Sequence, residues 1–173
     1  MKTTIGNNQI FLVDDDKMFL STMKQYISQF FGNYTITTFA TGEECLKFLY
    51  KKPGIVFLDY FLNGLSPKAI DGMKVLDQIK KTSPDTYTIM FSAQDHIDVA
   101  VDTMKHGAFD YIVKNDRMFL RVQNVIKNVA HNFSLKQDMR TYRTKLFLLT
   151  GFIVLLMGFL VYLGLFHKSL FNM

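Results

Sequence analysis

Five short apolar runs, each followed by a helical pattern, constrain the fold of this chain more than any other feature. The runs are Gln9–Val13, Tyr34–Phe39, Ile55–Leu58, Tyr87–Phe91 and Asp110–Val113. Runs this short, several of them rich in Ile, Val, Phe and Tyr, predict strands of a parallel sheet buried on both faces. Between them, Lys17–Phe31 carries Phe19, Leu20, Met23, Tyr26, Ile27 and Phe30 at helical spacing, an apolar stripe that faces a core. Thr41–Tyr50 opens on a capping box, Thr41 with Glu44 three residues on. Met73–Lys81 puts Val75, Leu76 and Ile79 on one face, and Ile97–His106 stops before Gly107, a good C′ residue. Asp116 can cap a last helix beginning at Arg117. The expected fold is therefore α/β, a five-stranded parallel, doubly wound sheet with right-handed crossovers. Ligands of such sheets bind beyond the carboxyl ends of the strands, near the topological switch point.

Those ends carry chemistry. The first run leads into Asp14-Asp15-Asp16, the third into Asp59, the fourth into Ser92 and the fifth into Lys114. Carboxylates crowded together repel unless a cation lies among them. Mg²⁺ suits oxygen ligands and an incomplete protein shell, leaving positions for water or a phosphate oxygen. A lysine and a hydroxyl opposite can then bind the oxygens of a phosphoryl group carried by one carboxylate. The set points to a carboxylate nucleophile that accepts a phosphoryl group while a metal neutralises charge. Taken singly, an acid at a strand end is more often a solvated residue or a helix cap, and a lysine a surface charge. Their joint occurrence, in order, singles them out.

With these residues in place the sequence resembles the receiver domain of two-component response regulators, over about residues 7–130. The resemblance is carried by Phe11-Leu-Val-Asp-Asp-Asp16, Ile55-Val-Phe-Leu-Asp-Tyr60, Asp71-Gly72, Ile89-Met-Phe-Ser-Ala93 and Gly107-Ala-Phe-Asp-Tyr-Ile-Val-Lys114. It implies the flavodoxin-like receiver fold, with Asp59 as phospho-acceptor. It makes Asp14 and Asp15 the acidic pair, Asp15 a direct Mg²⁺ ligand and the Phe61 backbone carbonyl a further one. Ser92 and Lys114 are implied to hold the phosphoryl oxygens, and Ala93 to leave the acceptor accessible. Tyr111 matches the switch aromatic that turns inward as Ser92 moves toward the phosphoryl group. Asp16 is expected to be a helix cap. The implied donor is a histidine kinase or phosphotransfer protein. The implied output is a protein partner at the fourth helix, fifth strand and fifth helix, so the role is signalling and not enzymatic turnover.

Three departures from the family pattern stand out. Asn115 replaces the proline that usually follows the lysine, so either a strained cis bond is kept, at about 2.5–4 kcal/mol, or the loop is rearranged. Asn63–Ile70 is longer than the family's turn, as a surface insertion or as a partner-specific lid. Phe61 and Gln94 occupy positions that tune phosphate lifetime in the family by positioning water; Phe61 offers no polar side chain for that task while Gln94 does, and the expectation is a fairly long-lived phospho-form.

The C-terminal part reads differently. Leu146–Phe166 is 21 residues without a charge, Thr150 being the most polar. As a helix it spans roughly 30 Å, the thickness of a hydrocarbon core. Residues 117–145 hold 7 Lys+Arg against Asp138 alone, a basic flank of the cytoplasmic kind. The expected organisation is a receiver domain over 1–130, a basic helical linker over 131–145, a transmembrane helix over 146–166 and a short tail over 167–173. This places a single-pass chain in the inner membrane, with its receiver in the cytoplasm, a setting in which one unpaired cysteine, Cys45, is at home. No DNA-binding output domain is expected between the receiver and the apolar run, and positive charge beside a bilayer is not expected to meet nucleic acid. Leu135, Met139, Tyr142 and Leu146 either lead to the bilayer or form a short seam for a homodimer. The competing functional reading is a receiver-like membrane scaffold that works without phosphorylation.

Overall fold

Strands β1 (Gln9–Val13), β2 (Thr35–Phe39), β3 (Ile55–Asp59), β4 (Tyr87–Ser92) and β5 (Asp110–Val113) form one parallel sheet in the order β2-β1-β3-β4-β5. The computed structural model describes residues 8–62, 70–93 and 96–171; the side chains of 137, 138, 140, 141, 143, 154 and 159–171 are not described. Of the long loop only Ile70 is described, and Gln94 lies outside the described residues. The chain divides into two compact units, one ending at Phe133 and the other beginning at Ser134.

The runs of β1, β3 and β4 are buried on both faces because alternate residues serve different helices, while the edge strands β2 and β5 are mostly half-buried. On one face Ile10, Leu12, Ile55, Phe57, Ile89, Phe91 and Ile112 pack with helix α1 (Lys17–Phe30) and with Met118, Val122, Ile126 and Val129 of helix α5 (Met118–Phe171). On the other, Phe11, Val13, Val56, Leu58 and Met90 pack with Cys45 of helix α2 (Gly42–Lys47) and with Val75, Leu76 and Ile79 of helix α3 (Gly72–Thr82). Fully burying one such side chain contributes about 1.5–3 kcal/mol. Cys45 is one of these core residues, its thiol pKa pushed up to about 12 by burial.

Capping follows the expected chemistry with one exchange. Asp16 accepts from the N–H groups of Met18 (2.8 Å) and Phe19 (3.1 Å), Thr41 from Glu44 (3.2 Å), and Asp71 from Lys74 (2.8 Å). Helix α4 (Ile97–Lys105) ends on Gly107 at φ 91°, where a residue without a Cβ pays no steric penalty. At α5 it is Asn115, not the expected Asp116, whose side chain accepts from the Arg117 N–H (3.0 Å), and the helix opens one residue later, at Met118.

Two further expectations are corrected. The second helical pattern does not run unbroken to Tyr50: α2 stops at Lys47 and a 3₁₀ turn, Leu49–Lys51, follows. Its stop is Lys52, left-handed at φ 51°, followed by Pro53, which has no N–H to continue a helix. Phe30 is not in the core; it is half exposed in the last turn of α1, its ring 5.0 Å from that of Tyr26.

In the second unit the described side chains of Leu146, Phe147, Leu148, Leu149, Phe152, Ile153, Leu155, Leu156 and Met157 are exposed, as are Leu135, Met139 and Tyr142. Among the described residues no helix is long and apolar enough to cross a membrane. The expected span, 146–166, includes residues 154 and 159–166, whose side chains are not described.

Candidate functional site

Strand order makes β1 and β3 neighbours, so the acids at their carboxyl ends meet at the switch point. Asp14 is fixed from both sides. Its backbone N–H donates to Phe39 O (3.1 Å) across β2, and its Oδ1 accepts from the Asp16 N–H (2.9 Å). Asp59, the last residue of β3, accepts from the Phe61 N–H at Oδ2 (2.9 Å). Asp14 and Asp59 are almost completely buried, at 1% and 4% exposure, and Asp15 is half-buried beside them.

Lys114 bridges the two buried carboxylates. Its Nζ lies 2.7 Å from Asp14 Oδ2 and 2.6 Å from Asp59 Oδ1. The missing proline does not disturb this. Among the described residues every peptide bond is trans, the one before Asn115 included. The backbone of Lys114 is held instead by its N–H on Ser92 O (2.7 Å) and by a turn in which the Asn115 N–H donates to Val113 O (2.9 Å). Of the two outcomes open in the sequence, the rearranged loop is the one found.

Electrostatics at the site are set by burial. Desolvation pushes the Asp59 carboxyl up to about 6, with the Asp14 charge adding to it and Lys114 opposing. Asp14 is raised for the same first reason. Burial pulls Lys114 down, but its hydrogen bonds and attraction to Asp14 and Asp59 outweigh this and raise it. One ammonium cannot neutralise three carboxylates. Asp14, Asp15 and Asp59 each offer an oxygen, all within 4.8 Å of one another. A compact all-oxygen set with surplus negative charge fits a hard divalent cation such as Mg²⁺.

Two site features lie beyond what spacing shows. A β-carbon on Gly72 would stand 2.2 Å from Asp59 O and 2.8 Å from Tyr60 O, so the start of α3 touches the acceptor strand through backbone alone. The sequence offered the Asp71-Gly72 pair only as a family signature. The second feature is Phe19, whose ring centroid is 4.5 Å from Lys114 Nζ; by spacing alone it reads only as a core residue. Ser92 is buried at the end of β4, next to the Lys114 backbone. Tyr111 is half-buried, packed on the α2–α3 side and bordering a shallow apolar cleft with Ala100, Val101 and Met104 of α4. The Phe61 side chain is exposed and its ring is 4.7 Å from that of Tyr60.

A doubly wound parallel sheet with buried acids and a bridging lysine at its switch point defines a receiver, and the chain belongs to the response regulator receiver domain family, which matches residues 10–123. It is 28% identical over 131 residues to the regulatory protein LuxO of Vibrio cholerae, covering 73% of this chain and 27% of that protein. It is 32% identical over 123 residues to the DNA-binding transcriptional regulator NtrC of Escherichia coli K12, covering 70% of this chain and 25% of NtrC. The crystal structure of the receiver domain of NtrX from Brucella abortus superposes with a TM-score of 0.62 at 28% identity, over 70% of this chain and 98% of that one. The chain thus spans about a quarter of the length of the curated relatives it matches. Receiver domains are signalling modules that interact with histidine kinases or phosphotransfer proteins.

Proposed function

We propose that this chain is a membrane-tethered phosphorylation switch, with Asp59 as its phospho-acceptor. The observation that carries the reading is the double bridge from Lys114 to Asp14 and Asp59, with Asp15 completing the acid cluster. A scaffold that never used the site would have no need of a buried charge cluster, whose desolvation costs several kcal/mol per ion.

In the proposed reaction an Asp59 oxygen attacks the phosphorus of a phosphohistidine. The P–N bond breaks, the histidine ring leaves with the electron pair, and an acyl phosphate forms on Asp59. Asp14, Asp15 and Asp59, with the Phe61 carbonyl, would hold Mg²⁺, which neutralises charge on the transferring group. Lys114 exchanges a carboxylate partner for a phosphoryl oxygen, and the Ser92 hydroxyl takes another. Tyr111 follows Ser92 inward, changing the surface of α4, β5 and α5 that meets the output partner.

The tether reading rests on the uncharged run Leu146–Phe166 and its basic flank. It puts the receiver at the cytoplasmic face of the inner membrane, where diffusion to a membrane kinase is two-dimensional. The DNA binding in the name of NtrC belongs to a relative that is about three quarters unmatched here. We assign this chain a protein partner.

Acetyl phosphate with Mg²⁺ is expected to label the chain, chelation to stop labelling, and Asp59→Asn to abolish it. The label is expected to outlast seconds, because Phe61 offers no polar group to position water. A folded protein that takes no label would favour the constitutive scaffold. Separately, the chain is expected to float with anionic liposomes and to stay with them in high salt. A variant ending at residue 145 should remain in solution; equal flotation of the two would remove the tether.

A further inference from the structure

Lys114 has a third neighbour besides its two carboxylates, and that neighbour bears no charge. Its ammonium sits over the ring of Phe19, 4.5 Å from the centroid, inside the range at which a cation is attracted to an aromatic face. Phe19 is itself anchored from two directions. Its backbone N–H is tied to the Asp16 cap (3.1 Å), and its ring meets the Phe91 ring edge-on at 5.5 Å, Phe91 in turn stacking on Phe57 at 5.3 Å. The ring therefore reaches from the first turn of α1 into the core beneath β3 and β4.

We propose that Phe19 is a positioning residue for phosphoryl transfer, holding the Lys114 ammonium while its carboxylate partners change. The inference rests on the receiver reading above. In the resting site Asp14 and Asp59 both bind Lys114. Neither can remain a fixed anchor, since one is the proposed nucleophile and both are proposed to hold the cation. The lysine must let go of at least one of them as the phosphoryl group arrives. A face of fixed negative potential, locked by the core and indifferent to the metal, keeps the ammonium at the mouth of the site during that exchange. With Asn115 in a trans turn, the main chain places the Cα of Lys114, but its long side chain still needs an aim; Phe19 supplies it.

The test compares aromatic with aliphatic occupants of one position in the 173-residue chain. Phe19→Leu and Phe19→Met keep apolar bulk without the ring face; Phe19→Tyr and Phe19→Trp keep the face. With acetyl phosphate at saturating Mg²⁺, the aliphatic variants are expected to label about 3- to 10-fold more slowly, and the aromatic ones within about 2-fold of the parent. Mg²⁺ affinity, measured separately, should be unchanged throughout. A merely structural role would instead track the loss of folding stability, so each rate is compared with the urea midpoint of the same variant. Equal rates in all four, with a labelled parent, overturn the positioning role and leave the receiver reading standing. A folded parent that takes no label overturns the receiver reading and this inference with it.

Discussion

Gly72→Ala is expected to slow labelling of Asp59 by about 100-fold and to destabilise the protein by about 3 kcal/mol. The added carbon would lie 2.2 Å from Asp59 O, 2.8 Å from Tyr60 O and 2.9 Å from Tyr60 Cα. All three are main-chain atoms, so no side-chain rotation relieves the overlap. If α3 backs away, it loses the Gly72 N–H bond to Tyr60 O (3.1 Å) and strains the Asp71 cap. If β3 yields instead, Asp59 moves relative to a lysine now 2.6 Å away. Either response displaces the acceptor by a sizeable fraction of an ångström, which is where in-line chemistry loses its alignment. Urea unfolding and the labelling rate read the two halves. A variant matching its parent in both would mean that α3 and the acceptor strand are not in backbone contact.

Lys114→Met is expected to cost about 3 kcal/mol at pH 8 in the absence of divalent cations, and much less at pH 5. Removing one member of a buried charge cluster leaves the others uncompensated. The sign follows from the carboxyls. Asp59 is held near 6 in the fold against an ordinary value of 3.8. A carboxyl raised in this way favours the fold below about pH 4, and that contribution is lost as pH rises through about 6. Asp14 is raised as well. Without the ammonium both move further up, so the variant keeps losing stability at pH values where the parent has levelled off. Saturating Mg²⁺ should return part of the loss by supplying the missing positive charge. Urea midpoints at pH 5 and pH 8, with and without Mg²⁺, decide the matter. A deficit that ignores both pH and metal would show that Lys114 acts by packing alone.

The sheet was legible because burial on both faces writes its inner strands as apolar runs. All five lie within a residue of their expected limits at each end. The deviations are instructive. β3 and β4 extend through Asp59 and Ser92, polar residues buried at the strand ends that hydropathy alone would exclude. Phe30 satisfied the helical stripe but is half exposed, while its neighbour Phe31 packs against the core instead. The 3₁₀ turn that follows α2 ends on the left-handed Lys52, a backbone state that a lysine does not advertise. At the site, Asp14, Asp15, Asp59, Ser92 and Lys114 were readable from strand ends plus topology. The contact of Lys114 with Phe19 was not, because it depends on where α1 lies over the sheet rather than on spacing along the chain. Asn115 flagged a departure, yet only the trans turn showed how the departure is accommodated.

The interior position of β1, between β2 and β3, has a consequence for how the chain is made. Ile10-Phe11-Leu12-Val13 pairs with β2 on one side and with β3, from Ile55 onward, on the other. A ribosome therefore delivers a strand whose last four residues are buried well before β3, which shields one of its edges. During that interval a sticky tetrapeptide is exposed to other nascent chains, the condition under which parallel sheets recruit chaperones. The acids that follow it, Asp14-Asp15-Asp16, then serve a purpose before any site exists. Three charges directly after the strand discourage its edge from zipping onto another copy, so the cluster that later holds a cation first keeps the newborn strand solvated.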